Sequence, residues 1–260
     1  MEPASPHDDP AKHEADGTRR CGTVSIRDAI RGAVNAALRP VGLRLVSAGW
    51  GPTGFAASLV KLKARGWSPR QVIDVGAWTG TWTAECMTIF PDARYLLIDP
   101  LPANRAALAA FCASHPNAAA WSGAAGAAAG TLRLYEHADQ SSAFRASSPD
   151  WRGAPVTVDM RTLDSFLDGG ETAPPQLIKA DVQGYELEVL RGGSRSLATA
   201  EAVLLEVSFR ELYEGQPLAH EVIGYLGERG FAVADICSYS QAADGSLLQS
   251  DLLFVRPDRL

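Results

Sequence analysis

Between residues 71 and 99 two short apolar runs flank one segment of helix length, and no other feature restricts the fold as tightly. Gln71-Val-Ile-Asp-Val75 has the length and apolarity of a buried strand, and Gly76 and Gly80 follow it. Thr81–Ile89 reads as a helix closed by Pro91. Tyr95-Leu-Leu-Ile98 reads as a second buried strand, ending at Asp99-Pro100. Strands apolar on both faces and joined through a helix form the βαβ unit of a parallel sheet.

The same alternation continues. A helix is predicted over Asn104–Cys112 and a weaker strand over Ala118–Trp121. Thr131–Tyr135 and Val156–Met160 alternate as antiparallel strands do. Further strands are predicted over Gln176–Ala180, Ala202–Val207, Phe231–Ile236 and Asp251–Val255, and helices over Tyr185–Leu190 and His220–Arg229. The expected core is α/β: a doubly wound, mainly parallel sheet with an antiparallel last strand. The alanine-rich tract from Gly123 to Gly130 reads as a loop. Upstream, Ile26, Ile30, Val34 and Leu38 recur every fourth residue and predict an amphipathic helix that Pro40 ends or kinks. Phe55–Ala64 predicts a second helix. Residues 1–22, rich in Pro, Asp and His, are expected to be a disordered tail in which His7 and His13 have no role. Residues 23–66 then form a helical segment, and residues 67–260 form the α/β domain.

Charge narrows the partners. The formal net charge is −6 and no Lys/Arg run exceeds two residues, so neither nucleic acid nor an anionic membrane is expected as a partner. No apolar run approaches the roughly 20 residues of a membrane span. The N-terminal segment is acidic and lacks the apolar centre of a signal peptide. Cys21, Cys86, Cys112 and Cys237 are far apart and show no metal-ligand spacing. Cys86 and Cys112 stand in apolar stretches as buried thiols, in keeping with a cytoplasmic protein.

In an open α/β sheet, ligands bind beyond the carboxyl ends of the strands, at the switch point. The first strand runs there into Asp74-Val-Gly76-Ala77-Trp78-Thr-Gly80. Gly76 permits a tight turn, and Gly80 lets the next helix begin close to a ligand. Asp99, 23 residues after Gly76, stands where a carboxylate accepts the hydroxyls of a ribose. Trp78 occupies the position of the middle glycine of a dinucleotide fingerprint, where the backbone must approach a pyrophosphate. The pattern therefore suits S-adenosyl-L-methionine, which has no phosphate. A Cβ at Gly76 would invade the space of that cofactor's methionine portion.

A second motif is more specific: Leu177-Ile-Lys-Ala-Asp181-Val-Gln-Gly-Tyr-Glu-Leu-Glu-Val-Leu-Arg-Gly-Gly193. With VIDVGAWTG, YLLIDPLPAN, VTVDMRTLDSF, LLEVSFRELYEGQPLAHEVIGYL and SDLLFVR, it closely resembles the FkbM-type methyltransferases over about residues 67–257. That resemblance implies a Rossmann-like class I methyltransferase fold and O-methylation of hydroxyls on sugars or natural products such as polyketides. It matches Asp74, Gly76, Ala77 and Gly80 to the cofactor loop and Asp99-Pro100 to the ribose-binding end of the second strand. It sets Ser122–Gly126, with Ala124, beside the adenine. Members of the family often carry Asn where Trp78 stands.

An alcohol is scarcely ionised at neutral pH, so a hydroxyl acceptor calls for a general base or a metal ion. Asp181 ends a strand, and Glu206 interrupts the apolar run Val203–Val207. Both are candidate bases, together with His220, whose ordinary pKa suits the role best. Asp181 and Glu206 also form a candidate magnesium pair, with the metal-free base preferred. Simpler readings stand beside these: Asp181 as a helix cap, His220 as an exposed first-turn residue, and Tyr213 and Glu214 in a mobile loop. Glu186 and Glu188 read as a solvated helix face, and Trp82, Trp121 and Trp151 as packing residues. Acceptor selection is expected from Tyr135–Arg152 and the first 65 residues, the latter closing over the sheet's carboxyl edge. The partner is then a small-molecule or glycan hydroxyl, and the N-terminal helices are equally compatible with a homo-oligomer. A nicotinamide-dependent oxidoreductase and a catalytically silent methyltransferase-like binding domain are the other classes open to such a sequence.

Overall fold

The computed structural model describes residues 34, 37, 52–136, 141–145 and 154–259. Val34 and Ala37 are helical; the rest of the helix expected over Ile26–Leu45, the tail and Trp151 lie outside the described residues. Pro52–Leu260 form one compact unit. It opens with helix α1 (Phe55–Ala64), followed by β1 (Gln71–Val75), α2 (Thr81–Ile89), β2 (Arg94–Asp99), α3 (Arg105–Ser114) and β3 (Ala118–Ser122). Next come β4 (Ala124–Ala125), β5 (Gly130–Glu136), β6 (Ala154–Arg161), α4 (Leu163–Asp168) and β7 (Leu177–Ala180). The chain closes with α5 (Glu186–Arg191), α6 (Ser194–Thr199), β8 (Ala202–Ser208), α7 (Ala219–Gly227), β9 (Ala232–Gln241) and β10 (Leu247–Val255).

Seven strands form one sheet in the order β3-β2-β1-β7-β8-β10-β9. β10 runs antiparallel to both its neighbours, β8 and β9. The remaining pairs are parallel. β4, β6 and β5 form a small second sheet, with β5 and β6 antiparallel. The alanine tract is therefore partly strand: Ala124–Ala125 pairs with the end of β6. Of three six-residue helices, each shorter than two turns, α4 and α6 escape the periodicity and α5 does not. α4 is fixed instead by its cap, where Thr162 Oγ1 accepts from the Ser165 amide at 3.2 Å.

Alternation along the strands divides the core between the two faces. Ile73, Val75, Leu96, Ile98, Ile178, Val203 and Leu205 pack under α4 to α7. Val72, Tyr95, Leu97, Leu177 and Leu204 pack under α1, α2 and α3. Side chains of opposite parity leave on opposite faces, so Asp74, Lys179 and Glu206 share the α1–α2 face with Leu204. Cys86 and Cys237 are buried thiols, whereas Cys112 is only half-buried on α3. Among the described residues no helix is long and apolar enough to cross a membrane.

Candidate active site

The strand order reverses at β1, where one crossover leads outward to β2 and β3 and another to β7 and β8. A cleft of about 210 Å³ opens there, at the carboxyl edge of the sheet. Gly76, Ala77, Asp99, Pro100, Ala124 and Asp181, all singled out from the sequence, line it. Ala125, Leu132 and Leu134 add an apolar wall.

Asp99 is the most heavily engaged of these residues. Its Oδ2 accepts from the Trp78 amide at 2.8 Å; its Oδ1 accepts from the Leu101 amide at 3.0 Å and Asn104 Nδ2 at 2.9 Å. Burial raises its pKa above the usual carboxylate range, against the lowering effect of these donors. Of about four acceptor directions on a carboxylate, three are filled from within the protein. Trp78 is held at φ 50°, a left-handed conformation that Asn tolerates far better than Trp. Its indole is 47% exposed.

Asp74 and Gly80, expected in the cofactor loop, do not line the cleft. Asp74 is fully buried on the α1–α2 face, where it accepts from Thr83 Oγ1 at 2.6 Å. Lys179, its register partner on β7, lies 3.1 Å away and donates to the Gly76 carbonyl at 2.9 Å. The pair thus ties the glycine turn down from beneath. Gly80 is needed for its φ of 86° and because a Cβ there would lie 2.9 Å from the Phe111 ring. Gly76 has φ 74°, and a Cβ on it would meet first the Asp181 carbonyl oxygen, at 1.8 Å. The turn is therefore constrained by its own backbone before any cofactor is considered.

Asp181 and Glu206 converge as their strand ends suggest. Residue Ala180 pairs with Leu205, so the two acids follow side by side. Gln183 bridges them: its Nε2 donates to Asp181 Oδ1 at 2.9 Å and Glu206 Oε2 at 3.0 Å. Tyr213 Oη in turn donates to Gln183 Oε1 at 2.9 Å, and Ser142 Oγ donates to the Gln183 carbonyl at 2.6 Å. Gln183 sits at φ 53°. Holding a non-glycine residue there costs of the order of 1–3 kcal/mol. Gln249 Nε2 adds a bond to Glu206 Oε2 at 2.7 Å.

Two further acids complete the cluster. Glu186 is buried, not solvated as its place on a helix suggested; its Oε1 accepts from the Val182 amide at 2.8 Å. Asp251 faces Glu206 across the β8–β10 ladder. Burial, reinforced by Asp181, Glu186 and Asp251, pushes the Glu206 carboxyl up to about 9. Burial likewise pushes Glu186 up to about 7. Tyr213 is buried and bonded within this network rather than placed in a loose loop. His220 stands apart: it is exposed on the first turn of α7 and lines neither this cleft nor the cavity beside it.

That second cavity, of about 190 Å³, is lined by Phe55, Trp82, Lys179, Asp181, Glu206 and Asp251 among others. It shares Trp82, Lys179 and Asp181 with the main cleft. Trp82, read from the sequence as a packing residue, therefore forms part of both walls.

A seven-stranded sheet of this order, with its cleft at the β1/β7 switch and an antiparallel β10, is the Rossmann-like architecture of the class I methyltransferases. The chain belongs to the FkbM methyltransferases: the family described as "Methyltransferase FkbM domain" matches residues 74–233. Among characterised proteins, it is similar to 2-O-methyltransferase NoeI of Sinorhizobium fredii, with 39% identity over 62 residues, 24% of this chain and 26% of NoeI. It is also similar to hexuronic acid methyltransferase AglP of Haloferax volcanii, with 35% identity over 52 residues, 20% of this chain and 22% of AglP. The matched stretches thus span about a quarter of each relative's length. A solved FkbM methyltransferase from Methylobacillus flagellatus superposes with a TM-score of 0.49 at 16% identity, covering 72% of this chain and 43% of that one.

Proposed function

We propose that the chain transfers a methyl group from S-adenosyl-L-methionine to a hydroxyl of a sugar or of a polyketide- or glycoside-like natural product. The observation that carries this reading is the meeting of two cavities at Asp181, one suited to the cofactor and the other to an acceptor. When bound, S-adenosyl-L-methionine supplies an electrophilic methyl group on a sulfonium. The main cleft fits it: Ala124, Ala125, Leu132 and Leu134 offer apolar walls for the adenine. Asp99 keeps one acceptor direction for a ribose hydroxyl, not the two that its position alone suggested.

Methyl transfer is an in-line displacement, so the protein's first contribution is to align the acceptor oxygen. Its second is to take the hydroxyl proton. Asp181 stands at the boundary of the cavities and is the proposed base. Glu206 beside it holds its own proton at neutral pH, since its carboxyl is pushed up to about 9. The Gln183 amide stands between the two acids and donates to each, so it holds the Asp181 carboxylate in place beside Glu206.

The same cluster offers oxygen donors to a metal ion. Carboxylate oxygens of Asp181, Glu186 and Glu206 lie within 4.8 Å of one another, which suits a divalent cation by donor type. The donor set does not fit as arranged, because the Gln183 amide nitrogen points between Asp181 and Glu206 and donates to both. Presenting oxygen there requires turning the amide and reversing its bond with the Tyr213 hydroxyl. A metal-free base is the reading that these bonds support.

The test is release of S-adenosylhomocysteine from labelled S-adenosyl-L-methionine with a panel of sugar and polyketide alcohols, with and without EDTA. Turnover that persists in chelator is expected. Activity lost in EDTA and restored by magnesium would replace the base with a metal. Cofactor binding with no turnover on any hydroxyl would overturn the reaction proposed.

A further inference from the structure

The cavity beneath α1 and α2 has a composition that the transfer reaction alone does not explain. One wall is aromatic: Phe55 and Trp82 stack with ring centroids 5.3 Å apart and planes tilted by 31°. The lining also carries Asp181, Glu206 and Asp251. Among the described residues, the only cation lining it is Lys179, which is already paired with Asp74 at 3.1 Å and bonded to the Gly76 carbonyl. Lys179 also acts on Asp181, Glu206 and Asp251, but with Asp74 counted the acids outnumber it, and the cavity is acidic on balance.

We infer that this cavity is the acceptor subsite and that it selects sugar rings that are neutral or carry an amine, against rings that carry a carboxylate. The inference rests on the O-methyl transfer reading and adds the charge class of the acceptor to it. A pyranose has a C–H-rich face that packs on an aromatic wall and a rim of hydroxyls that donate hydrogen bonds. The cavity supplies the counterpart to each: Phe55 and Trp82 for the face, and carboxylate acceptors for the rim. Trp82 Nε1 is buried with no hydrogen-bond partner among the described residues. A ring seated here extends to Asp181, the residue shared with the cofactor cleft.

A second carboxylate fares differently. In a site shielded from water it would lie beside Asp181 and Asp251, where the one cation, Lys179, is already engaged by Asp74, and like charges brought together cost more as the local dielectric falls. Protonation of Glu206 reduces the repulsion without removing it. An ammonium group gains from the same field.

The experiment measures binding to the full chain in the presence of S-adenosylhomocysteine, by calorimetry and tryptophan fluorescence. The probes are methyl glucoside, its 2-amino counterpart and methyl glucuronide. The glucuronide is expected to bind at least about tenfold more weakly than the other two. Asp251→Asn should narrow that gap at least about threefold, and Phe55→Ala should weaken all three probes. Three outcomes overturn the inference: a glucuronide bound as tightly as the glucoside, a gap indifferent to Asp251→Asn, or no binding of any probe. Turnover on other hydroxyls would still leave the methyl-transfer reading standing in each case. Conversely, the expected ranking without any turnover would strike the reaction and spare the subsite.

Discussion

Replacing Gly76 by alanine tests the junction on which the site is built. The new Cβ would stand 1.8 Å from the Asp181 carbonyl oxygen and 2.9 Å from its carbonyl carbon. That carbonyl must retreat by more than about 1 Å to reach an ordinary contact distance. The retreat pulls on the bond from the Asp181 amide to the Val75 carbonyl, 3.1 Å long, which closes the β1–β7 ladder. Alanine at the φ of 74° adds its own cost, about 1–2 kcal/mol. Overpacking at a well-filled position costs about 1–3 kcal/mol. Together they reach roughly 2–5 kcal/mol, which for a domain of this size lowers Tm by about 5–15 °C. Thermal melts followed by circular dichroism read the loss. Methyl transfer should fall as well, because Asp181 moves with its carbonyl. Gly227→Ala is the control, since a Cβ there meets nothing within 4 Å and the residue lies in helix α7. It should leave Tm unchanged or raise it. A Gly76→Ala protein that melts within about 2 °C of the wild type and keeps full activity would refute the account of this turn.

Three further outcomes follow from the same geometry. Asp99→Ala should weaken S-adenosyl-L-methionine binding at least about tenfold by calorimetry. It should also lower Tm, because the carboxylate holds the Trp78 and Leu101 amides and the Asn104 side chain. Asp181→Asn should lower kcat at least about a hundredfold, within the range of acid–base effects. Glu206→Gln should cost less, since the amide resembles the protonated acid; equal losses in the two variants would contradict a protonated Glu206. Glu206 also carries a pH signature. Its folded-state pKa, about 9, lies above the ordinary value of 4.5, so between these pH values the folded chain binds more protons than the unfolded one. Stability therefore declines as pH rises through that window. The Tm of Glu206→Gln relative to the wild type should climb from pH 5 to pH 9, and a constant difference would rule out the raised pKa.

The sequence made the sheet legible because its strands are apolar on both faces and separated by helices of ordinary length. Gln71–Val75, Thr81–Ile89 and Phe55–Ala64 fall where the pattern set them. Asp181 and Glu206 stood out for a related reason, as acids that interrupt or end apolar runs. The rest of their surroundings left no such mark. Glu186 looked like any first-turn glutamate, and only the fold turns it inward onto the amides of Val182 and Gly184. Gln183 and Gln249 are uncharged, and their bridging role comes from a left-handed backbone and a distant antiparallel strand. Lys179 was hidden within its strand; its meaning lies in register with Asp74, more than a hundred residues earlier. His220 stood out for its residue type alone, and the fold leaves it exposed and outside both cavities.

The strand order has a consequence for how this site comes into being. One lip of the cleft, Gly76 to Trp82, is synthesised long before the other, Lys179 to Tyr185. β1 finds β2 through a short local crossover, whereas its partner on the other side, β7, arrives about a hundred residues later. Closing so distant a parallel pair is slow, because the entropy of the intervening loop is lost before contacts repay it. A nascent chain that has emerged only as far as β3 already displays Gly76 and Asp99, yet it lacks the carbonyl against which the glycine turn is seated. The main cleft therefore closes in one late event, the docking of β7 beside β1, and the second cavity waits longer still, for Glu206 on β8 and Asp251 on β10.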